Sequence, residues 1–214
     1  MLCLSLALFT LSCGQQTESS NSNAGADEAS EANVKSGVKP EPDAQAAVIE
    51  TDYGRIVIEL YPNLAPQMVA RFKKLAGENF YNGTAIHRID PELGIIQDGD
   101  PNSKDDNPLN DGMGSSPEAN LPAEFSDIAY ERGIVGAART GADINSANCQ
   151  FFITLKRQAS FEQPGNRYTV FGRVIEGISN ADIISNAPVS EGTQRPADKI
   201  LVRSVTLQPR ANFK

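Results

Sequence analysis

The chain has no tryptophan, one histidine and three cysteines among its 214 residues, and no excess of basic side chains. Each shortage removes a class of chemistry. A lone histidine cannot build a His-rich metal centre. Cysteines at 3, 13 and 149 have neither zinc-ligand spacing nor the count of a disulfide framework. With 19 Lys and Arg against 27 Asp and Glu, the formal net charge is −8. Nucleic acid and anionic membrane surfaces are gripped through Lys and Arg, so neither is an expected partner. No apolar run reaches the roughly 20 residues that a membrane-spanning helix needs. The aspartates between 98 and 106 lack the spacing and closing Glu of an EF-hand, so calcium is set aside and no metal site is assigned.

What is present divides into three parts: residues 1–13, 14–46 and 47–214. The first is almost wholly apolar (Leu2, Leu4, Leu6, Ala7, Leu8, Phe9, Leu11) and fits the apolar region of a secretory signal. Its end, Thr10-Leu11-Ser12-Cys13-Gly14, resembles a bacterial lipoprotein signal, in which Cys13 would receive lipid. No Lys or Arg precedes the apolar run, and Thr10 stands where such signals prefer Leu; the true start is expected upstream. A simple secretory signal is the plainer alternative. Gly14 is not the Asp linked to inner-membrane retention in some bacteria, so the expected location is the cell envelope, with the outer membrane as anchor site.

The second part is Ser, Asn, Ala, Glu and Gln with two prolines, and carries six acids and two bases. It has little to bury, so it is expected to be disordered and to serve as a tether between a lipid anchor and a folded domain.

The third part has the patterns of a fold, and 40% hydrophobic residues suffice for a core. Residues 48–51 and 55–60 read as two strands around a tight turn, with Ile56, Ile58 and Leu60 on one face. Pro66 opens a helix whose Met68, Val69, Phe72, Leu75 and Ala76 form one apolar stripe, ended by Gly77. Residues 101–124 read as a long polar loop. Strands are expected at 134–138, 151–155, 168–174 and 199–207, and a short helix at 177–185. Predominant strands with two helices favour an antiparallel β-barrel over a βαβ sheet. In the stretch Asn148-Cys149-Gln150-Phe151-Phe152-Ile153-Thr154, neighbouring side chains of a strand point to opposite faces. One of the two phenylalanines therefore enters a core and the other faces a second surface.

The segments Phe80-Tyr81-Asn82-Gly83-Thr84, Ile86-His87-Arg88, Gln97-Asp98-Gly99-Asp100-Pro101, Ala138-Arg139-Thr140, Asn145-Ser146-Ala147, Gln150-Phe151-Phe152-Ile153 and Phe171-Gly172-Arg173-Val174 resemble, in order, the cyclophilins, a class of peptidyl-prolyl cis-trans isomerases. The resemblance covers about residues 47–214. It implies a mainly β fold, a closed eight-stranded antiparallel barrel capped by two helices, with a prolyl pocket on the barrel's outer face. It implies Arg88 as the catalytic residue, Gln97 as a substrate contact, Phe152 as the pocket floor, and Gln150 and Ala138 along the peptide groove. Phe161 matches an apolar wall position, Tyr168 stands where many eukaryotic members carry His, and Ile95 where Met is usual. Between Arg88 and Gln97 the chain is one residue longer than the common pattern, and Leu93 is taken for the usual pocket Phe, with Gly94 as the alternative. Asp98 replaces a commoner Gly, and 160–167 is longer than usual. Lacking the Trp that supports cyclosporin binding in many relatives, the chain is not expected to bind that drug tightly.

An X–Pro bond prefers trans by only about 0.5–1 kcal/mol, yet its isomerisation takes tens to hundreds of seconds. The barrier is amide resonance, so no nucleophile, metal or other cofactor is required. In the twisted amide the prolyl nitrogen regains a lone pair, and an arginine N–H aimed at it stabilises that state over the planar ones. Phe152 would bury the proline ring, worth roughly 1.5–3 kcal/mol for a side chain of that class. Gln97 and Gln150 would hold peptide carbonyls. His87 is read as a structural, hydrogen-bonded residue facing away from Arg88, and Cys149 as a small buried hydrophobe. The expected partners are proline-containing peptides and unfolded or folding proteins, and a monomer is expected. The alternative is a non-catalytic module that binds Pro-containing peptides or a protein partner.

Overall fold

The structure, a computed structural model, describes residues 34–214. The apolar segment with Cys13 and the first half of the expected tether lie outside the described residues. Among those described, nine strands join into one sheet and two α-helices pack on it. The strands are β1 (Gln45–Thr51), β2 (Gly54–Leu60), β3 (Ala85–Ile86), β4 (Arg88–Asp90), β5 (Ile95–Asp98), β6 (Ile134–Ala137), β7 (Phe151–Thr154), β8 (Val170–Glu176) and β9 (Ile200–Pro209). The helices are α1 (Pro66–Gly77) and α2 (Ile178–Ser185).

The sheet order is β3-β9-β1-β2-β8-β6-β7-β5-β4, with every pairing antiparallel. Its two ends, β3 and β4, are halves of one stretch interrupted at His87. Counted as one strand they give the expected eight, and the sheet runs round into a nearly closed barrel. The break lets 85–90 pair with β9 on one side and β5 on the other.

Period-two alternation decides what goes inside. Ile56, Ile58 and Leu60 of β2 enter the main core with Ala47 and Ile49 of β1, whereas Val57 joins Ala46 and Val48 in an outer cluster covered by Ile175 and Phe213. The expected stripe on α1 is buried in full, and Phe72 packs edge-on against Phe151 at 5.5 Å between ring centroids. Pro66 sits in the first turn of α1, and the carboxylate of Glu124 accepts from the N–H groups of Gln67 and Met68 at 3.1 and 3.0 Å. That distant residue satisfies donors which the helix cannot satisfy itself.

The stretch from 101 to 133 contains one 3-10 turn, Pro101–Lys104, and otherwise irregular chain. Polar side chains pin it: Asn148 Oδ1 accepts from the backbone and hydroxyl of Ser116, and its Nδ2 donates to the Glu118 carbonyl at 2.9 Å. Residues 34–46, expected to be loose, lie against the domain. Lys35 Nζ donates to the Asn63 and Leu64 carbonyls, Asp43 pairs with Lys73 at 2.8 Å, and β1 starts at Gln45 rather than after 47. Apolar content is low there, but part-buried polar anchors fix the path.

Candidate active site

Strand register assembles the site. Arg88 of β4 lies opposite Gln97 of β5, Gln97 opposite Phe152 of β7, and Phe152 opposite Gly136 of β6. Residues opposite one another in antiparallel pairs project to the same face, so Arg88, Gln97 and Phe152 form one row on the outer side. Their neighbour Phe151 goes to the main core, while Phe152 goes to a separate cluster. The alternation expected for the Phe-Phe pair is what the structure shows.

At one end of the row, three acceptors surround the Arg88 guanidinium. Nη2 donates to Asp90 Oδ2 at 2.7 Å, Nε to Gln194 Oε1 at 2.7 Å, and Nη1 to Gln97 Oε1 at 3.4 Å. The Arg88 side chain is 35% exposed, whereas that of Asp90 is 3% exposed. The arginine side chain is thus partly exposed and its anchor is buried. The polar chain continues: Gln97 Nε2 donates to Gln150 Oε1 at 2.9 Å, and Gln150 Nε2 to the Gly112 and Gly114 carbonyls. Gln97, Gln150 and Ala138 line a groove of about 310 Å³ together with Met113 and Arg139.

At the other end is an apolar socket. Ile95, Phe152 and Phe161 are buried with Tyr130, Ile134 and Val170, and Leu93, Ala138 and Tyr168 pack against them. The Tyr168 and Phe161 rings lie edge-on to Phe152 at 5.1 and 5.8 Å between centroids, and the Arg139 guanidinium stacks over Tyr168 at 4.9 Å. Phe152 is left 2% exposed, with the Tyr168 and Phe161 rings packed against it. Gly136 makes room beneath, since a Cβ there would fall 2.4 Å from Phe152 Cζ.

The longer connection between Arg88 and Gln97 becomes a tight turn. Leu93 N–H donates to Asp90 Oδ1 at 2.9 Å, Gln158 Nε2 donates to the Leu93 carbonyl, and Lys156 Nζ to the Pro91 carbonyl at 3.1 Å. Gly94 takes φ 57 under the Lys156 side chain. Of the two candidates for the missing aromatic, Leu93 packs on the Phe152 cluster and Gly94 is covered by Lys156.

Three further titratable groups nearby are buried. His87 is 7% exposed, and neither ring nitrogen makes a hydrogen bond of normal geometry, although the Ala85 backbone and the Gln150 side chain interact with the ring. Burial pushes its pKa down, and the charge of Asp100 works against that. Cys149 is fully buried, and burial pushes its thiol up to about 11. Asp98, 2% exposed, is pushed up to about 6, first by burial.

Two site residues escaped the sequence reading. Asp90 was detectable, because residues two apart on a strand share a face. Gln194 was not, since it lies 106 positions from Arg88.

Fold and site define a class: a β-barrel carrying on its outer surface an apolar cluster in one row with a fixed guanidinium, beside an amide-lined groove. Residues 46–207 match the family model for cyclophilin-type peptidyl-prolyl cis-trans isomerases. A probable peptidyl-prolyl cis-trans isomerase of Brucella suis is 37% identical over 163 residues, 74% of this chain and 81% of that protein. Peptidyl-prolyl cis-trans isomerase-like 3 of Gallus gallus is 33% identical over 166 residues, 76% of this chain and 95% of that protein. The crystal structure of a cyclophilin-type isomerase from Cryptosporidium parvum superposes with a TM-score of 0.67 at 27% identity, covering 77% of this chain and 97% of that one. A structure of the same protein in the presence of the dipeptide Ala-Pro gives 0.66 at 26% identity. The chain belongs to the cyclophilin family of peptidyl-prolyl cis-trans isomerases.

Proposed function

We propose that the chain accelerates X–Pro isomerisation in peptides and folding proteins of the cell envelope, with Arg88 stabilising the twisted amide. The observation that carries this is the row Arg88–Gln97–Phe152 on one outer face, with the Arg88 side chain about a third exposed. The proline ring would rest on Phe152 between Ile95, Phe161, Leu93 and Tyr168, with Tyr168 swinging aside. Gln97, Gln150 and Ala138 would line the path of the preceding residues. An Nη–H of Arg88 would meet the prolyl nitrogen only when it becomes pyramidal, which is the differential interaction that catalysis requires. The reaction transfers no net proton, so His87 needs no part in it. That an Ala-Pro dipeptide was used with the Cryptosporidium relative supports a prolyl peptide as ligand.

The covered floor at Phe152 keeps a second reading in play, a module that binds Pro-containing segments without turnover. Exchange spectroscopy on an Ala-Pro peptide with substoichiometric protein separates the two. Faster cis–trans exchange is expected; binding with unchanged exchange would establish the module instead. The anchor on Cys13, the envelope location and the monomeric state complete the proposal. Mass spectrometry of the mature N-terminus is expected to find a lipidated Cys13, and an unmodified one would remove the anchor.

A further inference from the structure

The geometry points to Asp90, helped by Gln194, as the positioning residue that sets the aim of Arg88 and indexes it to the apolar socket. This rests on the isomerase reading above. A guanidinium has five N–H donors in one plane. Three are taken, on three sides, by Asp90, Gln194 and Gln97. That fixes the plane and leaves one N–H on each Nη for a ligand. Gln194 is itself held in place, because its carbonyl accepts from Ile89 N–H at 2.6 Å, the residue after Arg88. Asp90 does more than hold the arginine. Its second oxygen accepts from Leu93 N–H at 2.9 Å and closes the turn that brings Leu93 to the Phe152 cluster. One buried carboxylate therefore ties the polar and apolar halves of the site together.

An unanchored arginine samples many rotamers, whereas a nitrogen lone pair in a twisted amide offers one narrow direction. Misplacement by about 1 Å can cost about 100-fold in rate. An anion at 2.7 Å also dampens the guanidinium's charge. The arrangement favours aim over field strength, and this separates two outcomes. If charge alone set the rate, Asp90→Asn would be as fast as the wild type or faster. If aim sets it, Asp90→Asn is slower.

Exchange rates and saturation on an Ala-Pro peptide, with the full chain, test this. Asp90→Asn is expected to lower kcat about 10–30-fold with KM within about threefold, the pattern of an interaction that matters in the transition state. Gln194→Ala is expected to lower kcat about 3–10-fold, and it carries the test if Asp90→Asn does not fold. In an Arg88→Ala background, Asp90→Asn is expected to change the residual rate by less than about twofold, because the two residues act as one unit. A wild-type rate in both single variants, or an Asp90→Asn effect that persists in full without Arg88, would overturn the inference. A wild type that does not accelerate exchange removes the isomerase reading and the kinetic test with it, and the aim of Arg88 is then tested by its side-chain resonance alone. The Arg88 Nε–H resonance, assigned by its loss in Arg88→Ala, is expected to be protected from solvent in the wild type and unprotected in Gln194→Ala and Asp90→Asn. Equal protection in all three contradicts positioning.

Discussion

Asp98 offers a stability test that the structure puts in numbers. Its carboxyl is 2% exposed, and Oδ1 has no hydrogen-bond partner. The Thr84 hydroxyl lies 3.3 Å from Oδ2 and shares its one hydrogen with the Tyr81 carbonyl at 2.8 Å, so it is only a weak donor to Asp98. That arrangement suits a protonated acid. Burial, aided by Asp100, raises the pKa from an ordinary 3.8 to about 6, against the opposing pull of the Gly99 N–H, Thr84 and Lys104. A pKa raised on folding gives stability that is full below pH 3.8 and is lost as pH rises through 6. At about 1.4 kcal/mol per unit, the loss is of order 2–3 kcal/mol by neutral pH. Asp98→Asn keeps the shape, places an N–H donor toward Thr84 and never ionises. Thermal and urea unfolding should therefore show the variant more stable at pH 7.5, by about 5–10 °C for a chain of this size. The gap should close toward pH 4. A variant equal to or less stable than the wild type at pH 7.5, or a gap independent of pH, refutes the reasoning.

Other consequences follow from packing. Gly136→Ala puts a Cβ 2.4 Å from Phe152 Cζ and must lift the ring; kcat/KM for an Ala-Pro peptide should fall about tenfold while circular dichroism is unchanged, on the scale of a small displacement within a site. Glu124→Ala strips the carboxylate from the start of α1, and urea unfolding should show a loss of about 1–2 kcal/mol, typical of a lost helix cap. Cys149, fully buried with its thiol pushed up to about 11, should resist a thiol reagent at pH 8 until the protein is unfolded.

How far the site could be read from the sequence depended on whether its contacts were periodic. The alternation of Phe151 and Phe152, the stripe on α1 and the face shared by Ile56, Ile58 and Leu60 follow from strand and helix repeats, and the structure shows all three. Arg88, Gln97 and Phe152 were each found by motif, but their row appears only once β4, β5 and β7 are in register. Contacts made by polar side chains across long stretches of chain left no such trace. Gln194 on Arg88, Glu124 on α1 and Lys35 on the 63–64 backbone are single hydrogen-bonding residues in irregular chain, with no repeat to mark them. The same blindness made 34–46 look loose.

The most direct test removes the guanidinium alone. With the full chain and an Ala-Pro peptide, Arg88→Ala should slow enzymatic exchange by about 100–1,000-fold, the usual cost of losing one transition-state donor, while peptide affinity changes by no more than a few-fold because Phe152 and Gln97 remain. Exchange that proceeds at the wild-type rate without Arg88 would contradict the account.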